Sequence, residues 1–365
     1  MMQISPEIQL FIREHSSDDV RVLALQAKKY PDIDMPTVIT QIAGRKVAAE
    51  KIPSWWEIEK IWYPKHLSLE QCSSEITARY KARLLQGDSL TDLTGGFGID
   101  CSFLATGFKS ATYVERQEEL CEIAAHNFPV LNLNHINIKN EDGVTYLQAM
   151  SPVDCLFLDP ARRNEHGGKT VAISDCEPNV AELEELLLQK ANRVMIKLSP
   201  MLDLSLALKE LKQTQEVHIL SVNNECKELL ILLGQTSPAE ISIHCVNLFT
   251  KGTQKEQHFV FTREQEQCSE CTYTDSLETY LYEPNASLLK AGAFRSIAAA
   301  YPVRKLHPNS HLYTSDTFIE NFPGRIFRIV NQCSFNKKEV KENLADLKKA
   351  NVTVRNFPAT VAELY

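Results

Sequence analysis

Four short stretches of this chain combine residue types that can hold a nucleoside-bearing ligand and handle protons beside it. The first is Asp92-Leu93-Thr94-Gly95-Gly96-Phe97-Gly98-Ile99-Asp100, a glycine-rich run between a strand-like segment and the helix-like CSFLATGF. Glycines let a backbone turn tightly and approach a ligand where a side chain would collide. The start of the following helix adds N–H donors and a partial positive charge. Glu115 ends the next strand-like run, ATYVE. A carboxylate there can accept hydrogen bonds from both hydroxyls of a ribose. Asn140-Glu141-Asp142-Gly143 follows the third run, a suitable place to meet an adenine edge, and Asp159-Pro160-Ala161-Arg162 follows the fourth. The expected ligand-contacting residues are therefore Asp92, Thr94, Gly95, Gly96, Gly98, Glu115, Asp142 and Asp159.

An alternation of strands and helices is needed to bring these stretches to one edge. Over residues 71–238, SLTDLT, ATYVE, INIKNED, VDCLFLDP, RVMIKLSP and EVHILSV read as short apolar strands. QEELCEIAAHNFPVL and NVAELEELLLQKA read as helices between them. That is the βαβ grammar of a mostly parallel, Rossmann-like sheet, which binds ligands beyond the carboxyl ends of its strands. Residues 1–70 form a helical region, with apolar residues at three- and four-residue steps and N-cap candidates at Ser16-Ser17-Asp18-Asp19. Trp55, Trp56 and Trp62 are expected to pack this region onto its neighbour rather than to stack on bases. Beyond 238 the grammar changes to small α+β modules, expected at 239–315 and 316–365. EISIHCVNLF and KEQHFVFTREQ read as an antiparallel hairpin. The tail reads as strand, helix and strand (GRIFRIVNQCSF, NKKEVKENLADLKKA, NVTVRNFP), and ATVAELY suggests a last module that is incomplete here.

The loop GGFGID does not match the G-x-G-x-x-G of dinucleotide-binding dehydrogenases, and it lacks the Gly-Lys-Ser/Thr of a phosphate-binding Walker loop. DLTGGFGID, Glu115, NEDG and DPAR together resemble motifs I to IV of class I S-adenosylmethionine methyltransferases, over roughly residues 75–235. The whole chain resembles a bacterial methyltransferase family with a helical N-terminal region, a ferredoxin-like insert and a C-terminal THUMP-like domain. EQCSSEITARYKARL, DPARRNEHGGK, IKLSPMLDLS, NECKELLILL and YLYEPNASLLKAGAF carry that likeness. The resemblance implies S-adenosylmethionine as cofactor. It places Gly95, Gly96 and Gly98 along the methionine part, Glu115 on the ribose and Asp142 at the adenine amine.

Methyl transfer from a sulfonium is an in-line displacement, so the protein must orient the acceptor and manage its proton. Asp159 is the expected proton acceptor. In amine-methylating relatives the same loop ends in proline and an aromatic. Here Ala161 and Arg162 stand instead, so the acceptor role survives without stacking. Uracil-C5 chemistry needs a cysteine after the fifth strand, where this chain has Lys197-Leu198-Ser199-Pro200. Lys197 is the second expected catalytic residue. With Asp159 and Glu225 it supplies three members of the lysine, aspartate, lysine and glutamate set of ribose 2′-O-methyltransferases, and Lys81 is in the region of the fourth. A structural ion pair among Lys197, Asp159 and Glu225 is an equally good reading. The acceptor is expected to be RNA, at a base amine or a ribose 2′-hydroxyl. The alternative is a protein or small-molecule acceptor, with the C-terminal domains as lid or dimer elements.

A net charge of −8 over 365 residues does not suit a dedicated duplex-DNA binder. Local charge matters more than the total. From Pro284 to Thr314 there is no acid, against Lys290, Arg295, Arg304 and Lys305. Arg304, Lys305 and the paired Arg162 and Arg163 are the expected phosphate contacts on the substrate. Ten cysteines without framework spacing suit reduced thiols and a cytoplasmic location. The start lacks the apolar run of a signal peptide, and no apolar stretch suggests a membrane span. Cys268-Ser269-Glu270-Cys271 has no second pair to complete a zinc site. The histidines are scattered along the chain, so no metal is expected.

Overall fold

The computed structural model describes residues 4–162, 172–236, 238–345, 349–355, 358 and 360–364. The chain divides into two compact units, Met1–Gln215 with Leu230–Pro238, and Glu216–Leu229 with Ala239–Tyr365.

In the first unit, polar side chains start the N-terminal helices where the sequence offers them. Ser5, Asp19 and Asp34 cap Pro6–Glu14, Val20–Leu25 and Met35–Lys51 by accepting backbone N–H groups. Phe11, Leu23, Met35, Val38 and Ile42 bury together between those helices. Trp55 is 2% exposed and packs with Tyr63, Phe97, Ile99, Leu120 and Ile123. It meets Phe97 edge-on at 5.2 Å, a burial and ring pairing worth about 2–4 kcal/mol. Phe97 belongs to the glycine-rich run, so a helical-region tryptophan braces that loop from behind. Trp62 stacks on His126 at 3.8 Å, while Trp56 remains 41% exposed beneath Arg45.

The strands of this unit are β1 (Ser89–Asp92), β2 (Ser110–Glu115), β3 (Ile136–Asn140), β4 (Val153–Leu158), the short ladder β5 (Ala161–Arg162) with β6 (Cys176–Glu177), and β7 (Ala191–Leu198). β1 pairs in parallel with β2 and β4, β2 with β3, and β4 with β7. The order β7-β4-β1-β2-β3 reverses direction at β1, beside β4. At such a switch point the loops leaving two neighbouring strands diverge and open a crevice. β8 (Thr214–Val222) and β9 (Glu225–Gly234) form a hairpin whose residues are shared between the two units. Its turn is Asn223-Asn224, both at positive φ (50° and 67°). Asparagine tolerates that conformation, which matches the twist of a two-residue hairpin.

In the second unit, β10 (Ser242–Leu248) runs parallel to β8, and β11 (Glu256–Phe261) runs antiparallel to β10 at the sheet edge. The hairpin expected from EISIHCVNLF and KEQHFVFTREQ is present, and its first strand also pairs with β8. Cys245, Val246, Asn247 and Leu248 are all buried, so both faces of β10 are covered, as an interior strand requires. β12 (Tyr280–Pro284), β13 (Arg304–His307), β14 (Ser310–Ser315) and β15 (Gly324–Arg328) make a second, antiparallel sheet in the order β13-β14-β12-β15. Tyr282, Tyr313, Phe322, Leu288 and Ile297 form buried parts of this unit. The strand expected from NVTVRNFP is not formed at 351–354. Val352 is 38% exposed, so the alternation finds no core to face. Among the described residues, no helix is long and apolar enough to cross a membrane.

Candidate functional site

Asp92 ends β1, Glu115 ends β2 and Asp159 follows β4, so three of the expected side chains emerge at carboxyl ends of parallel strands. The loop between β1 and its helix owes its shape to two glycines. At Gly95 a Cβ would lie 2.2 Å from the Tyr113 ring, which packs directly beneath. Gly98 sits at φ 87° and opens the helix Ile99–Ala105, a conformation costly for any other residue. The Tyr113 hydroxyl donates to the Gly96 carbonyl at 2.5 Å. Gly96 N–H donates to Glu115 Oε2 at 2.9 Å, and Gln117 N–H donates to Oε1 at 2.8 Å. Glu115 thus joins the loop to the end of β2, and each oxygen keeps lone pairs for a further donor.

Asp92 is buried. Its Oδ1 accepts the Thr94 N–H at 3.0 Å, and its Oδ2 has no hydrogen-bond partner among the described residues. Burial pushes its carboxyl well above the usual range. Thr94 Oγ1 accepts the Asp159 N–H at 2.6 Å, tying the glycine loop to the loop after β4. Asp142 caps the helix Gly143–Ala149, its Oδ1 accepting from Val144 and Thr145 N–H at 3.0 Å each.

The densest chemistry lies beneath these loops. Lys197 Nζ is 2.5 Å from Asp159 Oδ2 and 3.2 Å from Asp100 Oδ2, and it donates to Ser73 Oγ at 3.1 Å. Lys81 Nζ donates to the same Ser73 Oγ at 2.9 Å and lies 3.0 Å from Asp100 Oδ1. Ser73 Oγ donates to Asp100 Oδ2 at 2.7 Å. Two ammonium groups and the Asp100 carboxylate therefore converge on one serine, and Asp159 joins them through Lys197. Burial opposes the charge of Asp100, but Lys197 and Lys81 overcome it and hold the carboxyl far below its ordinary range. Asp159 goes the other way. Desolvation raises it, against the pull of Lys197. Its side chain is 38% exposed, whereas those of Lys81, Asp100 and Lys197 are 0%, 10% and 9% exposed. Asp159 is thus the member of the set open to an incoming group.

Asp100 and Ser73 were not singled out from the sequence. Asp100 closes the glycine-rich run, and Ser73 lies in the loop before the helix that carries Lys81. Glu225 does not join Lys197 among the described contacts. It is 73% exposed and pairs with Lys227 at 2.6 Å. Arg162 lies in β5, and nothing is described of its side chain. Arg163 falls outside the described residues. Arg304 forms an ion pair with Glu278 in the second unit. Lys305 is 2% exposed, donates to the Pro308 carbonyl and lies 5.6 Å over the Phe294 ring. In this conformation Lys305 offers no charge to an outside phosphate, so its expected role as a surface contact does not fit its burial.

The geometry fits an adenosyl cofactor on two grounds. The glycine loop leaves Gly96 open, where an added Cβ would meet nothing closer than the Thr94 carbonyl at 3.8 Å. The orphaned Asp92 Oδ2 beneath the same loop has hydrogen-bonding capacity to spare.

A family model described as a ferredoxin-like domain matches residues 280–323, and one described as THUMP domain-like matches 324–365. No curated protein sequence matches the chain. A solved protein from Porphyromonas gingivalis W83, classed as a methyltransferase, is 35% identical. That match covers 98% of this chain and 90% of the other, with a TM-score of 0.86. An rRNA methylase from Streptococcus thermophilus matches at 15% identity over 44% of this chain and 93% of its own, with a TM-score of 0.32. A methyltransferase-class protein from Streptococcus mutans, solved in complex with SAH, matches at 13% identity over 44% of this chain and 96% of its own, also at 0.32. The likeness to the P. gingivalis protein over nearly the whole of both chains shows the relationship: this chain belongs to the same family, that of S-adenosylmethionine-dependent methyltransferases with a Rossmann-like sheet followed by ferredoxin-like and THUMP-like domains.

Proposed function

We propose that the protein methylates RNA, at a base amine or a ribose 2′-hydroxyl. The observation that carries the chemistry is the Asp159–Lys197 pair at 2.5 Å, held from below by Asp100, Lys81 and Ser73. When bound, S-adenosylmethionine supplies an electrophilic methyl group on its sulfonium. Asp92, Thr94, Gly95, Gly96, Gly98 and Glu115 would hold it, with Asp142 at the adenine end. Asp159 accepts the hydrogen bond, and then the proton, of the incoming amine or hydroxyl. A carboxyl raised above its ordinary range is better matched to that task near neutral pH than an unperturbed one. Lys197 holds Asp159 in one orientation and is itself fixed by Asp100 and Ser73, so the acceptor meets a rigid group. The THUMP-like match at 324–365 supports RNA as the acceptor, by analogy of domain company.

A second reading, a protein or small-molecule acceptor, is favoured by one observation. Arg304 and Lys305 of the acid-free segment are engaged by Glu278 and Pro308. The deciding experiment is transfer of labelled methyl from the cofactor into total RNA, protein and small-molecule fractions, drawn from cells lacking the gene. Label in RNA that vanishes with Asp159→Ala supports the RNA reading. Label confined to protein or small molecules overturns it.

A further inference from the structure

The second unit gathers histidines that lie far apart in sequence. Glu216 and His218 are two residues apart on β8, so they share a face. His244 on β10 stands directly opposite His218 in the parallel ladder. His258 on β11 pairs with Val246, two residues on from His244, and so lies on the same face. The His218 and His244 rings stack at 4.3 Å, and those of His244 and His258 at 5.3 Å. His218 Nε2 is 3.2 Å from Glu216 Oε2, and His244 Nδ1 is 3.1 Å from His258 Nε2. One donor atom each of Glu216, His218 and His244 lie within 4.8 Å of one another.

We propose that Glu216, His218, His244 and His258 form a binding site for one divalent d-block cation of the zinc class. The donor set is one carboxylate oxygen and imidazole nitrogens, which suits such an ion. With metal–ligand bonds of about 2.0–2.2 Å, donors around a tetrahedral ion lie about 3.4 Å apart. The two closest donor contacts here already have that separation. Small side-chain rotations at the partly exposed Glu216 and His244, and at the exposed His258, close the rest. The four residues belong to three adjacent strands ending at the edge strand β11, so one ion would pin that edge. The expectation that the histidines are too scattered for a metal overlooked the parallel register, which brings residues 218 and 244 side by side.

The test uses the full-length, untagged protein after chelator treatment, titrated with Zn²⁺ and separately with Co²⁺. The expected result is one zinc per chain, a cobalt spectrum of low-coordinate nitrogen–oxygen type, and a higher Tm at saturating metal. His218→Ala and His244→Ala should each weaken zinc binding by at least about tenfold. Should either variant fail to fold, two measurements keep the question open to refutation. His258→Gln changes an exposed edge residue, and it should also weaken binding. On the wild type, bound zinc should protect His244 and His258 from diethyl pyrocarbonate, read by mass spectrometry. Absence of zinc binding overturns the proposal. So does binding of equal strength in folded His218, His244 and His258 variants, which would place the ion elsewhere, for example at Cys268 and Cys271.

Discussion

Charged residues are used in opposite ways in the two units. In the first, Lys81, Lys197 and Asp100 come from separate segments and converge on one buried serine, and Asp159 pairs with Lys197. In the second, the cations of the acid-free segment disperse. Arg304 goes to Glu278, Lys305 to the Pro308 carbonyl, and Arg295 to the Gln267 carbonyl. A surplus of charge in sequence therefore says little about a surface until its partners are known. Charges drawn together from separate segments, three of them buried, say much more, because burial is tolerated only where opposite charges meet.

The sharpest way to break the comparison is Asp159→Ala. Removing a positioned proton acceptor should lower methyl transfer at saturating cofactor by about 10²–10⁴-fold. The pH profile carries a second signature. Transfer by the wild type should rise with pH through the raised pKa of Asp159, and that limb should disappear in the variant. An unchanged rate would reduce Asp159 to a structural partner of Lys197.

Asp100→Ala tests whether the cluster is a unit. It would remove the carboxylate that Lys81, Lys197 and Ser73 share, at a cost of about 3–5 kcal/mol, read by urea denaturation. The folded pKa of Asp100 is depressed. Its contribution is therefore fully present above the unfolded value near pH 4 and is lost as pH falls toward the lower folded value. The variant should accordingly show a shallower loss of stability in acid than the wild type.

Glu115→Ala addresses the loop above the cluster. It removes a carboxylate that accepts the Gly96 and Gln117 N–H groups and that would face the ribose. Cofactor affinity by calorimetry should fall about ten- to a hundredfold. Equal affinities would sink the ribose assignment. The smallest effect is expected in the second unit. Lys305→Met should cost about 1 kcal/mol in stability, for the lost bond to Pro308. It should also leave the salt dependence of any RNA binding unchanged. A slope flattened by roughly one unit would show instead that Lys305 reaches phosphate.

Local pattern was enough for much of the fold. The strand runs of the parallel sheet were legible because apolar β-branched runs between turn residues have few alternatives. Asp19 as a cap and Trp55 as packing follow from equally local reasons. β9 was harder. NECKELLILLG is apolar on both faces, and its length suits a helix as well as a strand. The NVTVRNFP run shows the reverse error, a sound strand pattern with no core to cover.

By itself the sequence determined the order of the motifs and hence which residues emerge from the carboxyl ends of β1, β2 and β4, since a βαβ chain has little freedom in where those ends point. Only the tertiary structure decided what each of them touches. Ser73, Lys81, Asp100 and Lys197 come from a loop, two helices and a strand, and the histidines from three strands. No spacing rule links such positions, because the distances between them are set by crossover packing and ladder register. The same holds for Lys305, whose charge is plain in the sequence while its burial depends on Phe294 and on the turn of its own hairpin, which carries Pro308.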